Sequence, residues 1–262
     1  MITFNQIDTH SFLVEENEFY QLYHQASAPY MYDYNFMQLK YQPTVEEFKL
    51  LEAILLDFHH YHDLEHIKFY WPEDKGFTEE IIAYFSKEHY GIEILELYAI
   101  RPENFSSSKE NHAVSVSFVT EETLEDYQNF NKQIDQQTSQ AFAERKQQLY
   151  EDNFYDPSRR QVIAVLNDQV VGTLDLILSD ETVEIDNFIV ADAVQKQGIG
   201  SEMQQFVLPF ADQRMVLLVT DADSTAREMY VKQGYEYISY RLGAEKIIKE
   251  KPTFKTSSAE EH

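Results

Sequence analysis

The stretch 183–200 of the sequence combines features that could hold a phosphate group. Its first part, V-E-I-D-N-F-I-V, is rich in β-branched and aromatic residues, which predicts a strand. Gly198 and Gly200 then open a segment whose apolar residues recur at helical spacing. A helix start attracts anions through its unpaired N–H groups and its dipole, and glycine lets the backbone approach a ligand. We therefore predict a phosphate cradle of mainly backbone N–H groups, formed by Gln195, Lys196, Gln197, Gly198, Ile199, Gly200 and Ser201.

Two carboxylates precede this cradle on the predicted strand. Glu184 and Asp186 are two residues apart, so both point to the same face of a strand. Carboxylates in such a position could accept a proton from a substrate. The alternative is that both are surface carboxylates that oppose a basic residue.

Two motifs carry a resemblance to a known family. The segment Q-K-Q-G-I-G at 195–200 fits the pattern Q/R-x-x-G-x-G/A, and A-R-E-M-Y-V-K-Q-G-Y at 226–235 fits the pattern A-x-x-x-Y-x-x-x-G-F/Y. With both motifs in the right order, residues 113–242 resemble the GCN5-related N-acetyltransferases, the GNAT family, which bind acetyl-CoA. The resemblance implies an α/β fold of the α+β kind, with a mixed, mostly antiparallel central sheet flanked by helices.

The resemblance also implies roles for individual residues. The pantetheine of acetyl-CoA would lie along the backbone of Phe188, Ile189 and Val190, and Tyr230 would protonate or hydrogen-bond the departing thiolate. Asp186 stands where many relatives carry a glutamate that reaches the amine. Because aspartate is one methylene shorter, a water relay is expected in place of direct proton abstraction.

Three further side chains have two interpretations each. Ser224 stands where relatives often have an asparagine that touches the cofactor, or it only caps the following helix. Arg227 could reach the CoA phosphates, or pair with Glu228 or Asp223. Lys196 could lie near a phosphate, or be a solvated lysine of the turn.

The amino-terminal half has the same order of predicted elements as the region after Val183, namely strand, helix, strand, helix, strand. Thr44, with Glu47 three residues later, predicts the capping box of the first helix. No glycine occurs before that helix and its start is acidic, so we expect this half to be a degenerate acetyltransferase-like copy that does not bind CoA. The earlier segment 12–23 is compatible with an amphipathic helix.

These patterns divide the chain into four parts. We predict an amino-terminal module at 1–104, a polar linker at 105–112, a GNAT domain at 113–242 and a carboxyl-terminal tail at 243–262. The predicted fold is thus a tandem acyl-CoA N-acyltransferase-like fold. Helices predicted at 122–131 and 136–152 would form one wall of the acceptor site, as the resemblance implies.

The composition limits the partners. The net charge of −25 disfavours nucleic acid and anionic membranes, and it favours a cationic substrate or simply keeps the protein dispersed. The chain has no cysteine, no signal-type segment and no apolar run of the ~20 residues that span a bilayer, so a cytoplasmic location is expected.

A group of histidines raises the question of a metal. His62 and His66 are four residues apart and follow His59 and His60, a spacing compatible with a metal pair. The group carries no His-Glu-x-x-His motif, and a polar helix end is the alternative interpretation. We predict no metal site.

The leading hypothesis is an acetyl-CoA-dependent N-acetyltransferase that acts on a primary amine of a small, cationic molecule or of a protein. The alternative is a catalytically decayed CoA-binding sensor or interaction protein. A third hypothesis treats the aromatic-rich amino-terminal module as a dimerisation surface, which would make the protein a homodimer.

Overall fold

The computed structural model describes residues 1–106, 113–224 and 226–248. Their strands are β1 (Phe12–Glu16), β2 (Tyr20–His24), β3 (Phe36–Leu39), β4 (His66–Tyr70), β5 (Gly91–Ile100), β6 (Ser115–Phe118), β7 (Arg159–Leu166), β8 (Gln169–Leu178), β9 (Thr182–Val190), β10 (Met215–Asp221) and β11 (Glu236–Ile247). Their α-helices are α1 (Val45–Tyr61), α2 (Glu79–Glu88), α3 (Leu124–Asp135), α4 (Gln140–Tyr155), α5 (Ile199–Val207) and α6 (Arg227–Lys232). None of these helices has the length and apolar character needed to cross a membrane. The predicted mixed architecture of helices and mostly antiparallel strands is confirmed.

The chain forms two compact units, and each is discontinuous in sequence. Of the described residues, the N-terminal unit comprises Thr9–Glu93 and those from Leu242 onward, and the C-terminal unit comprises Met1–Asp8 and those between Ile94 and Arg241. The predicted domain bounds stay a prediction, but residues 243–247 of the predicted tail belong to strand β11. Residues 107–112 of the predicted linker and 249–262 of the predicted tail lie outside the described residues.

The strands of the N-terminal unit lie in the order β1-β2-β3-β4-β11, and only the pair β3–β4 is parallel. The helix predicted for 12–23 is wrong, because this segment forms β1 and β2. The burial of Tyr20, Leu22 and His24 alternates with more exposed neighbours, which is the period of a strand. Asn17 turns the chain between the two strands, since its side chain accepts the N–H groups of Phe19 and Tyr20.

Helix α1 packs its apolar face against the sheet of the N-terminal unit. The predicted capping box is present, since Thr44 and Glu47 each accept the other's backbone N–H. Phe48 is fully buried, and its ring contacts those of Phe69, Trp71 and Phe85. A 3-10 turn at Tyr32–Tyr34 precedes β3.

The strands of the C-terminal unit lie in the order β5-β10-β9-β8-β7-β6, and only β9 and β10 are parallel. Helices α5 and α6 cover one face of this sheet, where Met203 and Tyr230 join a core with Ile185 and Leu218. The helices predicted at 122–131 and 136–152 are confirmed as α3 and α4. They cover the opposite face, where Tyr127 and Tyr150 pack with Ile163 and Val119.

Candidate active site

A groove opens where β9 and β10 separate within the C-terminal unit. The two strands are paired in parallel from Thr182–Met215 to Ile185–Leu218. Beyond that point β10 continues to pair with β5 up to Asp221, whereas β9 continues to pair with β8 up to Val190. The divergence turns one edge of β9 over 186–190 away from β10, so its main-chain groups can bind an extended ligand.

A β-bulge at Asn187 marks the beginning of this groove. The partners across β8 and β9 are Asp175–Asp186 and Thr173–Ile189, so β9 has one residue more than β8 between them. Asn187 adopts the left-handed region with φ 46°, which asparagine tolerates better than most residues.

The start of α5 leaves its N–H groups unpaired. Gly198 is the N-cap with φ 90°, no side chain caps the helix, and the first backbone bond runs from the N–H of Glu202 to the carbonyl of Gly198. The N–H groups of Ile199, Gly200 and Ser201 therefore have no partner among the described residues. Together with the helix dipole these N–H groups could bind an anion, as the predicted cradle requires.

The corresponding helix of the N-terminal unit lacks such a cradle. Helix α1 follows β3 as α5 follows β9, but the hydroxyl of Thr44 already accepts the N–H of Glu47. The Glu47 carboxylate accepts the N–H of Thr44 at 2.7 Å, and Glu46 adds a second negative charge to the first turn. An anion would have to displace these contacts, and the absence of CoA binding in this unit stays a prediction.

Small residues bring β9 close to α5. A Cβ at Gly200 would lie 3.4 Å from Cζ of Phe188 on β9. A Cβ at Gly172 on β8 would lie 2.9 Å from the carbonyl oxygen of Ile189 on β9 and 3.0 Å from the sulfur of Met203 on α5. Phe188 and Val190 pack against the same core as α5. The predicted pantetheine-binding segment and the predicted cradle are therefore adjacent.

Tyr230 lies on α6 with its ring in the same core. It is 6% exposed, and its ring centroid is 6.1 Å from that of Tyr98 and 5.6 Å from that of Tyr235. Burial raises the pKa of Tyr230 to about 12, so the phenol stays protonated at neutral pH. Its hydroxyl makes no hydrogen bond to another described residue, which leaves the proton available to a ligand.

Glu184 and Asp186 share one face of β9, as their spacing predicted. Glu184 is buried, and its carboxylate accepts the backbone N–H of Asp8 at 2.8 Å. Asp186 is half-buried and lies directly opposite Asp175 on β8. Two carboxylates in direct cross-strand register repel each other, which favours a cation beside them.

Polar side chains of α3 that were not among the predicted site residues also reach this face. The hydroxyl of Tyr127 donates to Asp175 at 2.6 Å, and Asn187 donates to Tyr127 at 3.1 Å and to Asn131 at 3.2 Å. Tyr127 and Asn131 are four residues apart and therefore lie on one face of the helix. That spacing was the available signal, but it also fits an ordinary packed helix.

The remaining predicted residues lie around the cradle. Gln195 donates to the carbonyl of Val190 at 3.1 Å and so connects the loop to β9, and Lys196 adopts the left-handed region with φ 63°.

Ser224 accepts the N–H of Ala226 at 3.2 Å, but it does not cap α6, whose N-cap is Ala226. Arg227 pairs with Glu96 at 3.2 Å, and not with Glu228 or Asp223. The ligand contacts of these residues stay predictions.

Three histidines of the N-terminal unit, His24, His59 and His66, are buried in its interior. His59 and His66 are fully buried, and Nδ1 of His59 contacts the carbonyl oxygen of His66. His24 contacts Asn35 at 2.7 Å, and the ring of His62 lies 4.4 Å from that of His24. Among the described residues no three His, Cys, Asp or Glu side chains are placed to hold a metal ion.

Two family models match the chain. Residues 120–235 match the model described as Acetyltransferase (GNAT) family, and residues 2–98 match the model described as Domain of unknown function (DUF5613). No curated protein sequence matches the chain.

Three solved structures resemble the whole chain. A protein from Staphylococcus epidermidis ATCC 12228, described as a functionally unknown conserved protein, is 28% identical with a TM-score of 0.88, and the match covers 95% of this chain and 98% of that one. A GCN5-related N-acetyltransferase from Kribbella flavida is 13% identical with a TM-score of 0.58, over 90% of this chain and 89% of that one. A tandem GNAT protein from the clavulanic acid biosynthesis pathway is 10% identical with a TM-score of 0.53, over 88% and 79%. The predicted tandem fold with a GNAT-like amino-terminal module is confirmed.

Proposed function

We propose that the groove between β9 and β10 binds acetyl-CoA and that the protein transfers its acetyl group to a primary amine, because residues 120–235 match the model of the GNAT acetyltransferase family. The amine would be part of a small molecule or of a protein. The observation that carries this proposal is the uncapped start of α5 beside the point where β9 leaves β10.

The cosubstrate is held mainly by main-chain groups. The N–H groups of residues 198–201 bind the diphosphate, and the free edge of Phe188, Ile189 and Val190 pairs with the pantetheine as an added strand would. Such contacts fix the thioester relative to the side chains on β9 and α6, and this positioning lowers the entropic part of the barrier.

The chemistry needs two proton transfers. A protonated amine cannot attack, so Asp186, through a water molecule and with Glu184 beside it, accepts a proton from the acceptor nitrogen. The neutral nitrogen then forms a bond to the thioester carbonyl carbon while the carbon–sulfur bond breaks. Tyr230 gives its proton to the departing thiolate, which its raised pKa allows because the phenol is protonated before the reaction.

The acceptor class follows from charge. Asp175, Asp186 and Glu184 lie on the face of the sheet that α3 and α4 cover, and the chain as a whole carries a net charge of −25. A cationic acceptor, such as a polyamine or an aminoglycoside, would be attracted to this face. An acidic acceptor would be repelled by it.

Two measurements test the proposal in sequence. Calorimetry with acetyl-CoA should give a saturable heat of binding. The rate at which free CoA thiol is released should then depend on which amine is added, when polyamines, aminoglycosides and lysine peptides are compared. Binding without turnover for any amine would favour the CoA-binding sensor. No heat at millimolar acetyl-CoA would contradict both functions.

A further inference from the structure

The bulge at Asn187 decides which residues of β9 face the cofactor groove. Val183 and Ile185 belong to the core beneath α5, so strict alternation would also direct residue 187 to that side. The side chain of Asn187 instead contacts α3 on the opposite side, and Phe188 and Val190 return to the α5 core. Without the extra residue, every position after Asp186 would change faces.

Side chains of α3 and β8 hold Asn187 in this conformation. Both hydrogens of its amide are used, one by the Tyr127 hydroxyl at 3.1 Å and one by Oδ1 of Asn131 at 3.2 Å. Oδ1 of Asn131 also accepts from Thr173 at 3.2 Å, and its Nδ2 donates to the carbonyl of Tyr127 at 3.0 Å.

The network is buried and its donors have fixed directions. Tyr127, Asn131 and Thr173 are fully buried, and Asp175 is 3% exposed. Burial and the neighbouring Asp175 carboxylate raise the pKa of Tyr127, so its hydroxyl remains a donor to Asp175 and its oxygen remains an acceptor for Asn187. A satisfied buried network of this kind specifies one backbone arrangement.

We propose that Tyr127 and Asn131 are positioning residues for acetyl transfer. Through the Asn187 amide they lock the bulge, and the locked bulge keeps the edge of residues 188–190 open for pantetheine and keeps Asp186 on the acceptor side. This inference rests on the proposed function above. It assigns to α3 a role in cofactor binding as well as in the acceptor wall.

Asn187→Gly is the central variant, because glycine adopts positive φ readily and the change removes the side chain that carries the amide. Tyr127→Phe removes the hydroxyl that links Asn187 to Asp175. Tyr155→Phe is the matched control, since Tyr155 is 63% exposed on α4. The readouts are hydrogen exchange of the amides of residues 186–190, the KM for acetyl-CoA and the thermal midpoint.

We expect Asn187→Gly to exchange these amides about tenfold faster and to raise the KM for acetyl-CoA at least about fivefold, with little change in kcat or midpoint. Tyr155→Phe should match the wild type in every readout. If Tyr127→Phe does not fold, the measurements on Asn187→Gly alone test the inference. If Asn187→Gly keeps the exchange rates and the KM of the wild type, the inference is overturned. If the wild-type protein binds no acetyl-CoA, the proposed function is overturned, and the hydrogen-exchange rates alone then test whether Tyr127 and Asn131 hold the bulge.

Discussion

Gln233, at the end of α6, donates from Nε2 to the hydroxyl oxygen of Ser201 at 3.0 Å. Its Oε1 in turn accepts from the buried Gln204 at 2.9 Å. These bonds join the first and middle turns of α5 to the helix that carries Tyr230. The proposed diphosphate cradle and the proposed acid are therefore held at a fixed separation, which acetyl transfer requires.

Tyr230→Phe should lower kcat by roughly a hundredfold and leave the affinity for acetyl-CoA nearly unchanged, because only the proton donor to sulfur is lost. Tyr235→Phe is the control. The buried hydroxyl of Tyr235 has no hydrogen-bond partner within the described part of the chain, so its removal should leave turnover unchanged and stability equal or higher. Pre-steady-state thiol release and calorimetry measure the two effects. Equal kcat in Tyr230→Phe and the wild type would remove Tyr230 from the mechanism.

Gly198 should tolerate asparagine better than valine. Its φ of 90° is costly for any side chain, by about 1–2 kcal/mol for ordinary residues, and asparagine bears this cost more easily than a β-branched residue. Acetyl-CoA affinity by calorimetry should therefore decrease in the order wild type, Gly198→Asn, Gly198→Val. Equal affinity of the two variants would mean that the cradle does not depend on the left-handed conformation.

Asp186→Asn should flatten the acidic limb of the pH–rate profile, because the group that accepts the amine proton is lost. Asp168→Asn, in the exposed turn between β7 and β8, removes the same charge away from the groove and should preserve the limb. Steady-state rates measured over the pH range of the acidic limb distinguish the effects of the two substitutions. A limb that persists in Asp186→Asn but vanishes in Glu184→Gln would transfer the role to Glu184.

Gly243→Ala should destabilise the N-terminal unit by roughly 1–3 kcal/mol. The new Cβ would lie 2.6 Å from Cγ of Glu93, whose carboxylate pairs with the buried Lys68 at 2.7 Å. Moving Glu93 would weaken the ion pair of a lysine that is 2% exposed. Gly76→Ala is the matched control, because no atom lies within 4 Å of its Cβ position. Chemical denaturation that gives equal stabilities would contradict the steric argument.

Acid should destabilise the N-terminal unit before it affects the carboxylates. Burial lowers the pKa of His59 from 6.5 to about 3 and that of His66 to about 4. The unfolded chain therefore binds more protons below pH 6.5, and stability falls as the pH decreases from there. At pH 5 each histidine should cost about 2 kcal/mol relative to neutral pH.

Trp71 reports this transition, because it is the one tryptophan in the sequence and is buried in the N-terminal unit. Denaturation followed by its fluorescence should show a smaller pH slope in His59→Gln than in the wild type. His60→Gln, beside it on α1 and partly exposed, should keep the wild-type slope. Identical slopes in all three proteins would mean that His59 is not buried in its neutral form.

Local signals predicted most elements correctly. The capping box of Thr44 with Glu47 and the helix start at Gly198 each depend on residues only a few positions apart, so the local sequence is sufficient to predict them. The segment 12–23 was predicted as a helix and forms two strands, because the hairpin is stabilised by pairing with β3, which the local pattern does not contain.

The sequence by itself determined the two motifs that resemble the acetyltransferase family, the glycine that opens α5 and the place of Tyr230 on α6, since these depend on short motifs and on backbone conformations that glycine permits. Only the tertiary structure decided that residues 243–247 complete the N-terminal unit by pairing with β4, and that residues 95–100 pair with β10. It also decided that Tyr127 and Asn131 reach Asn187 from more than fifty positions away, at sequence separations of 60 and 56. Strand pairing and buried hydrogen bonds join residues that are distant in the chain, and their energies depend on the assembled fold and not on any local pattern.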